Sequence, residues 1–158
     1  MVPLVRLLQA GDVDEKELAA VALGNLMEYS GPNKAALVQA GGLGPLVELL
    51  WRTGAATTRS NAAAVLRTFT TNNKNGNVHV VRTGAVDLLV QLVLDGIEAG
   101  YLRHEQHREG MRHATAVLRN LASSGHQMAI RNSGAVEALT KVMRLSRSTD
   151  GLDGWFER

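Results

Sequence analysis

Three stretches of the chain carry a polar residue at one fixed place inside an otherwise apolar run: AVALGNL at 20–26, AAVLRTF at 63–69 and AVLRNLA at 116–122. The shared place is held by Asn25, Thr68 and Asn120. Asparagine costs a helix interior up to about 0.7 kcal/mol relative to alanine, so its recurrence asks for a reason. A primary amide offers two donors and an acceptor and can answer the C=O and N–H of any peptide group. The residue just before it reads Gly24, Arg67 and Arg119. A guanidinium fork matches carboxylate and phosphate geometry, so two arginines in register could receive acidic side chains. The bland readings are an asparagine that satisfies nearby backbone and an arginine solvated on an exposed helix, and at this stage they stay open.

A second cluster lies in YLRHEQHREGMRH at 101–113, where His104 and His107 are three apart with Glu105, Glu109 and His113 nearby. HEQH does not have the HExxH spacing, nothing fixes a third ligand, and a charged loop gives no dry site, so no metal is expected. The chain contains no cysteine. That removes thiol nucleophiles, disulfides and cysteine-ligated zinc together. With no glycine-rich phosphate loop and no serine, histidine and carboxylate set, neither catalysis nor a cofactor is expected.

The elements that must position these residues follow from the rest of the 158-residue chain, which is 45% hydrophobic and 20% charged, as in a soluble globular domain. The formal charge is +2, and the basic residues are spread out rather than gathered in a tract. Two Trp, two Tyr and two Phe supply no row of stacking platforms, so nucleic acid is not the expected partner. No apolar run reaches membrane-spanning length and the start lacks a secretory signal, which makes a cytoplasmic or nuclear location the expectation.

Internal repetition is plain when VPLVRLL (2–8), GPLVELL (44–50), DLLVQLV (87–93) and EALTKVM (137–143) are stacked. The last three follow glycine steps at 40–42, 83–85 and 133–135, and before those steps come NKAALVQAG, NVHVVRTG and QMAIRNSG. The unit is therefore a short helix, a glycine corner, a second helix and a longer third helix, with helices expected near 15–29, 58–71 and 111–123 for the third. No segment alternates like a strand. Small residues such as Ala19, Ala20, Ala62, Ala63 and Ala114 allow the helices to approach closely.

This pattern resembles the armadillo repeat, in which a glycine corner precedes a helix reading LPxLVxLL and then one reading AxxALxNL; AGGLGPLVELL, AVALGNL and AVLRNLA carry the likeness. The resemblance implies an all-α, right-handed α-solenoid of three to four repeats over residues 1–146: a partial repeat at 2–32, repeats at 33–76 and 77–125, the latter with an inserted loop at 95–112, and a partial repeat at 126–146. A tail at 147–158, with Trp155 and Phe156, reads as a loop running toward a further helix. Both ends then fall within a repeat, which points to a slice of a longer solenoid or to ends that pair with something else. Val2, Leu4, Leu7 and Leu8 at the start, and Val136, Leu139, Val142 and Met143 near the finish, should lack stacking neighbours, so the chain is expected to self-associate or to be marginally stable.

In armadillo solenoids the third helices line a concave face, and the resemblance implies that Asn25 and Asn120 there hold the main chain of an extended partner, with Thr68 a weaker substitute in the middle. One turn earlier the nuclear-import receptors of the family carry tryptophan, whereas Val21, Ala64 and Ala116 stand here. No aromatic slot for lysine can form. The expected groove thus comprises Val21, Asn25, Glu28, Ala64, Arg67, Thr68, Ala116, Arg119 and Asn120, and its expected partner is an extended, acidic protein segment. The expected function is a non-catalytic protein-interaction scaffold. The alternative is the substrate-recognition portion of a larger enzyme, such as a U-box-type ubiquitin ligase.

Overall fold

The computed structural model describes residues 1–51, 55–100 and 104–148, with side chains described as far as Leu145. Every regular element among them is helical: α1 Val2–Ala10, α2 Val13–Met27, α3 Gly31–Gln39, α4 Leu43–Glu48, α5 Ala56–Thr70, α6 Lys74–Arg82, α7 Ala85–Glu98, α8 Glu105–Ser123, α9 Gln127–Asn132 and α10 Ala135–Ser148. Short helices α3, α6 and α9 alternate with second helices α1, α4, α7 and α10 and with the long α2, α5 and α8. The long helices pack side by side in chain order, α2 on α5 and α5 on α8, while α1 lies on α2 and α7 on α8. The packing is that of a helical-repeat protein.

Local chemistry sets the boundaries. A capping box opens α2, in which Asp12 Oδ1 accepts from the Glu15 N–H at 2.9 Å and Glu15 Oε2 accepts from the Asp12 N–H at 2.9 Å. Ser30 caps α3, with Pro32 in its first turn. The expected corners lie at Gly41, Gly84 and Gly134, whose φ angles of 68°, 76° and 75° belong to the left-handed region that glycine enters without a Cβ penalty.

One continuous core threads the stack, with Leu8, Leu23, Met27, Leu37, Leu46, Leu66, Phe69, Leu89, Met111, Leu118 and Leu121 fully buried. Each such side chain contributes about 1.5–3 kcal/mol by leaving water. Small residues bring the helices together as expected. A Cβ at Gly24 on α2 would sit 3.2 Å from Val65 Cγ2 on α5, and one at Gly42 would meet Leu37 Cδ1 at 2.5 Å.

Three expectations are corrected. Among the described residues the expected inserted loop at 95–112 is largely helical: α7 continues to Glu98 and α8 begins at Glu105, so extra residues lengthen two helices. They can pack because Gly96 lies under Met111, where a Cβ would be 2.3 Å from Met111 Cγ, and because Gly110 faces Leu92. At the ends, Leu8 and Val142 are buried within their own units, whereas Val2, Leu7, Val136 and Met143 are exposed. The tail differs slightly as well, since α10 includes 147 and 148. Trp155 and Phe156 lie outside the described residues.

Candidate functional site

All nine expected groove residues fall on α2, α5, α8 or the residue just past α2, and the three sets stand in register. Val21, Asn25, Glu28, Arg67 and Arg119 are exposed, and Ala64, Thr68, Ala116 and Asn120 are half-buried. The polar positions nevertheless differ in what they are free to do. Asn25 makes no side-chain hydrogen bond among the described residues. Thr68 Oγ1 turns back to its own helix and donates to the Ala64 carbonyl at 3.3 Å. Asn120 Nδ2 donates to Thr70 Oγ1 at 3.1 Å and to Thr71 Oγ1 at 3.4 Å. A uniform row of available amides is therefore not formed: α8 lies close enough to the end of α5 that threonine hydroxyls there take up the Asn120 donor.

The chain brings Glu28, Arg67 and Thr68 together in a cleft of about 460 Å³ where the end of α2 meets the end of α5. Val21, Asn25 and Ala64 lie off it, as do Ala116, Arg119 and Asn120 on α8. The remaining walls are Tyr29, Ser30, Gly31 and Lys34 from one unit and Thr71, Asn72 and Asn73 from the next. Tyr29 and Asn72, each just past the end of its long helix, are held at φ 56° and 52°. Asparagine tolerates this region, but tyrosine pays a backbone cost of about 1 kcal/mol or more, and Tyr29 is 99% exposed, so no packing of its ring offsets that cost.

Lys34 is buried, and its Nζ donates to the Thr71 carbonyl at 2.7 Å. Burial lowers the pKa of its ammonium below the ordinary lysine value. Arg67, in contrast, is exposed and makes no ion pair among the described residues. The cleft therefore presents one open guanidinium, one deeper ammonium already bonded to a helix end, and one carboxylate at Glu28. Such a site suits a partner that brings both an acidic group and main-chain polar groups.

The sequence reading did not single out Lys34, Tyr29, Asn72 or Asn73. A signal was present for one of them. Lys34 and Asn77 each lie seven residues before a corner glycine, on a short helix, and both are buried. Asn77 Nδ2 donates to the Thr70 carbonyl at 3.3 Å and to Ser124 Oγ at 2.8 Å, so in these two units the matching residue clamps the end of the next long helix.

Away from the cleft, Arg59 on α5 and Asp95 on α7 form a buried ion pair at 2.8 Å. The contact is not aligned along an N–H, so it is an ion pair more than a hydrogen bond. Arg59 Nε also donates to the Leu50 carbonyl at 3.1 Å, and Asp95 Oδ1 accepts from Gln91 Nε2 at 2.8 Å. Thr58 donates to Glu17, tying α5 to α2.

Of the histidine cluster, His107 and His113 lie on α8 rather than in a loop. His104 precedes α8 and its ring meets that of His107 edge-on at 5.6 Å, while His113 Nε2 lies 3.5 Å from Glu109. No group of three or more His, Cys, Asp or Glu among the described residues is arranged to hold a metal ion. No described helix is long and apolar enough to cross a membrane.

Comparison with known proteins gives likeness at the level of structure. No protein-family model matches the chain, and no curated protein matches it. Two crystal structures of engineered proteins are similar: one superimposes with a TM-score of 0.78 at 29% identity over 95% of this chain, the other with 0.76 at 31% identity over 94%. The chain spans 56% of the first engineered protein and 33% of the second.

Proposed function

We propose that this chain is a non-catalytic, armadillo-type right-handed α-solenoid that binds an extended, acidic protein segment along the face made by α2, α5 and α8. The observation that carries the reading is the placement of Arg67, without an ion pair among the described residues, in one cleft with Thr68 and Glu28 at the junction of two units. The repeated three-helix unit, the left-handed glycine corners and the AVALGNL and AVLRNLA motifs support the armadillo assignment. Asn25 offers a complete amide to a partner's main chain, and Asn120 keeps its side-chain Oδ1 for the same purpose. Arg67 and Arg119, one unit apart, select acidic side chains.

Fluorescence binding of the full chain to a peptide-display library tests this. Enriched peptides should be extended and acidic, and affinity should fall as salt rises. Arg67→Glu with Arg119→Glu should weaken binding at least about tenfold, and Asn25→Ala by about 1 kcal/mol. A library with no enrichment, or ligands indifferent to all three substitutions, would overturn the proposal.

A further inference from the structure

Each long helix ends in the same way. The residue just past its C-cap turns into the left-handed region: Tyr29 after α2 at φ 56°, Asn72 after α5 at φ 52° and Gly125 after α8 at φ 96°. Glycine and asparagine meet that local demand at little cost, and tyrosine does not. At Tyr29 the ring is 99% exposed, so nothing inside the chain offsets the strain. Stacking between units does not cover this position, since Asn72 has the preceding unit packed beside its own and is exposed all the same. The residue next to Tyr29 adds a charge. Glu28 is exposed, makes no ion pair among the described residues, and lines the same cleft as Arg67 without pairing to it. Lys34, the other cation of the cleft, is buried and turned to the Thr71 carbonyl, which leaves Glu28 without a cation of its own.

From these observations we propose that Glu28 and Tyr29 receive a basic side chain of the partner segment, so that the segment recognised carries a lysine or arginine close to its acidic residue. The cleft then has two signs. On α5 the Arg67 guanidinium meets the acidic side chain. Past the end of α2 the Glu28 carboxylate meets an ammonium or guanidinium, and the Tyr29 ring turns its negative face to the same cation. Either attraction alone is small at an exposed site, but both act on one group. A segment with acidic residues only would set like charge against Glu28, whereas a basic residue beside the acidic one answers both walls. The strained turn also gains a reason: it stands an aromatic ring on the rim of the cleft, beside the carboxylate it assists. The inference rests on the reading of this cleft as the groove for an extended segment, and adds the second charge that the segment must bring.

Peptide display on the full chain, followed by fluorescence binding of the enriched peptides, tests the pocket. Enriched sequences should carry Lys or Arg within a few residues of Asp or Glu. Glu28→Lys should weaken their binding about tenfold or more, and replacing the basic residue of the peptide by Glu should restore affinity for that variant. Tyr29→Gly should weaken binding about threefold while raising the urea midpoint of the free chain, because glycine takes the left-handed turn without penalty. Tyr29→Phe, which keeps the ring, should bind as the wild type does. Peptides that contain no basic residue, lose affinity on Arg67→Glu and ignore Glu28→Lys would overturn the inference and leave the acidic groove standing. A library with no enrichment would overturn both. A lowered urea midpoint for Tyr29→Gly would also sink the inference, since the ring would then serve the fold and not a partner.

Discussion

Asn120 on α8 donates its side-chain amide to Thr70 Oγ1 at the end of α5, 3.1 Å away, and Thr70 Oγ1 in turn donates to the Leu66 carbonyl at 2.9 Å. Asn77 on α6 closes the arrangement by donating to both the Thr70 carbonyl and Ser124 Oγ, while Ser124 Oγ donates to the main-chain carbonyl of Asn120 at 2.8 Å. Three helices from two units are joined by one polar ring. An asparagine inside an apolar run thus has a use within the chain before any partner arrives.

Asn25 and Asn120 should consequently respond differently to alanine, although their sequence frames are alike. Asn120→Ala gives up the bond to Thr70 and should cost about 1 kcal/mol. Asn25→Ala gives up nothing described within the chain and should be neutral, or gain up to about 0.5 kcal/mol from helix propensity. Urea denaturation of the two variants side by side measures the difference. Equal midpoints would mean that the ring adds no stability.

The Arg59–Asp95 pair joins α5 to α7 in a buried setting. Arg59→Met should destabilise by about 2 kcal/mol, because it removes the guanidinium from this buried contact together with the donor to the Leu50 carbonyl. Arg59→Lys, which restores the charge without the planar fork, should recover part of that loss. Thermal unfolding of both variants tests the order, and a methionine variant as stable as the wild type would contradict it.

His113 makes stability depend on pH. Burial, followed by the nearby charges of Arg67 and Arg112, holds its pKa down at about 4 against the ordinary 6.5, with Glu109 pulling the other way. The folded chain therefore binds fewer protons at this site than the unfolded chain does. Its contribution is complete above about pH 6.5 and shrinks as pH falls toward 4, because the unfolded imidazole gains a proton that the folded one refuses. The loss should reach on the order of 1 kcal/mol at pH 5.5. Between pH 7 and 5.5 the wild type should lose more stability than His113→Gln, as read by urea midpoints, and parallel pH profiles would rule the site out as the cause.

The order of short, second and long helices, the glycine corners and the apolar stripes were legible in the sequence, because each depends on residues within one or two turns of one another. The recurrence of GPLVELL-type and AVLRNLA-type segments fixed the register before any coordinates. Gly41, Gly84 and Gly134 could be placed because the left-handed backbone at a corner is a local demand that glycine meets. What periodicity could not supply was the behaviour of residues 95–112. Their charge reads as loop, yet Gly96 and Gly110 let two lengthened helices close on each other, a fact about packing and not about propensity. The cleft was half legible. Arg67 and Thr68 stand in the repeated motif, while Lys34 and Tyr29 reach the same cavity only through the way one unit docks on the next. The Arg59–Asp95 pair and the Asn120–Thr70 bond lie beyond sequence reading for the same reason. Each joins residues tens of positions apart, and a polar side chain takes its role from whichever neighbour the fold brings within about 3 Å.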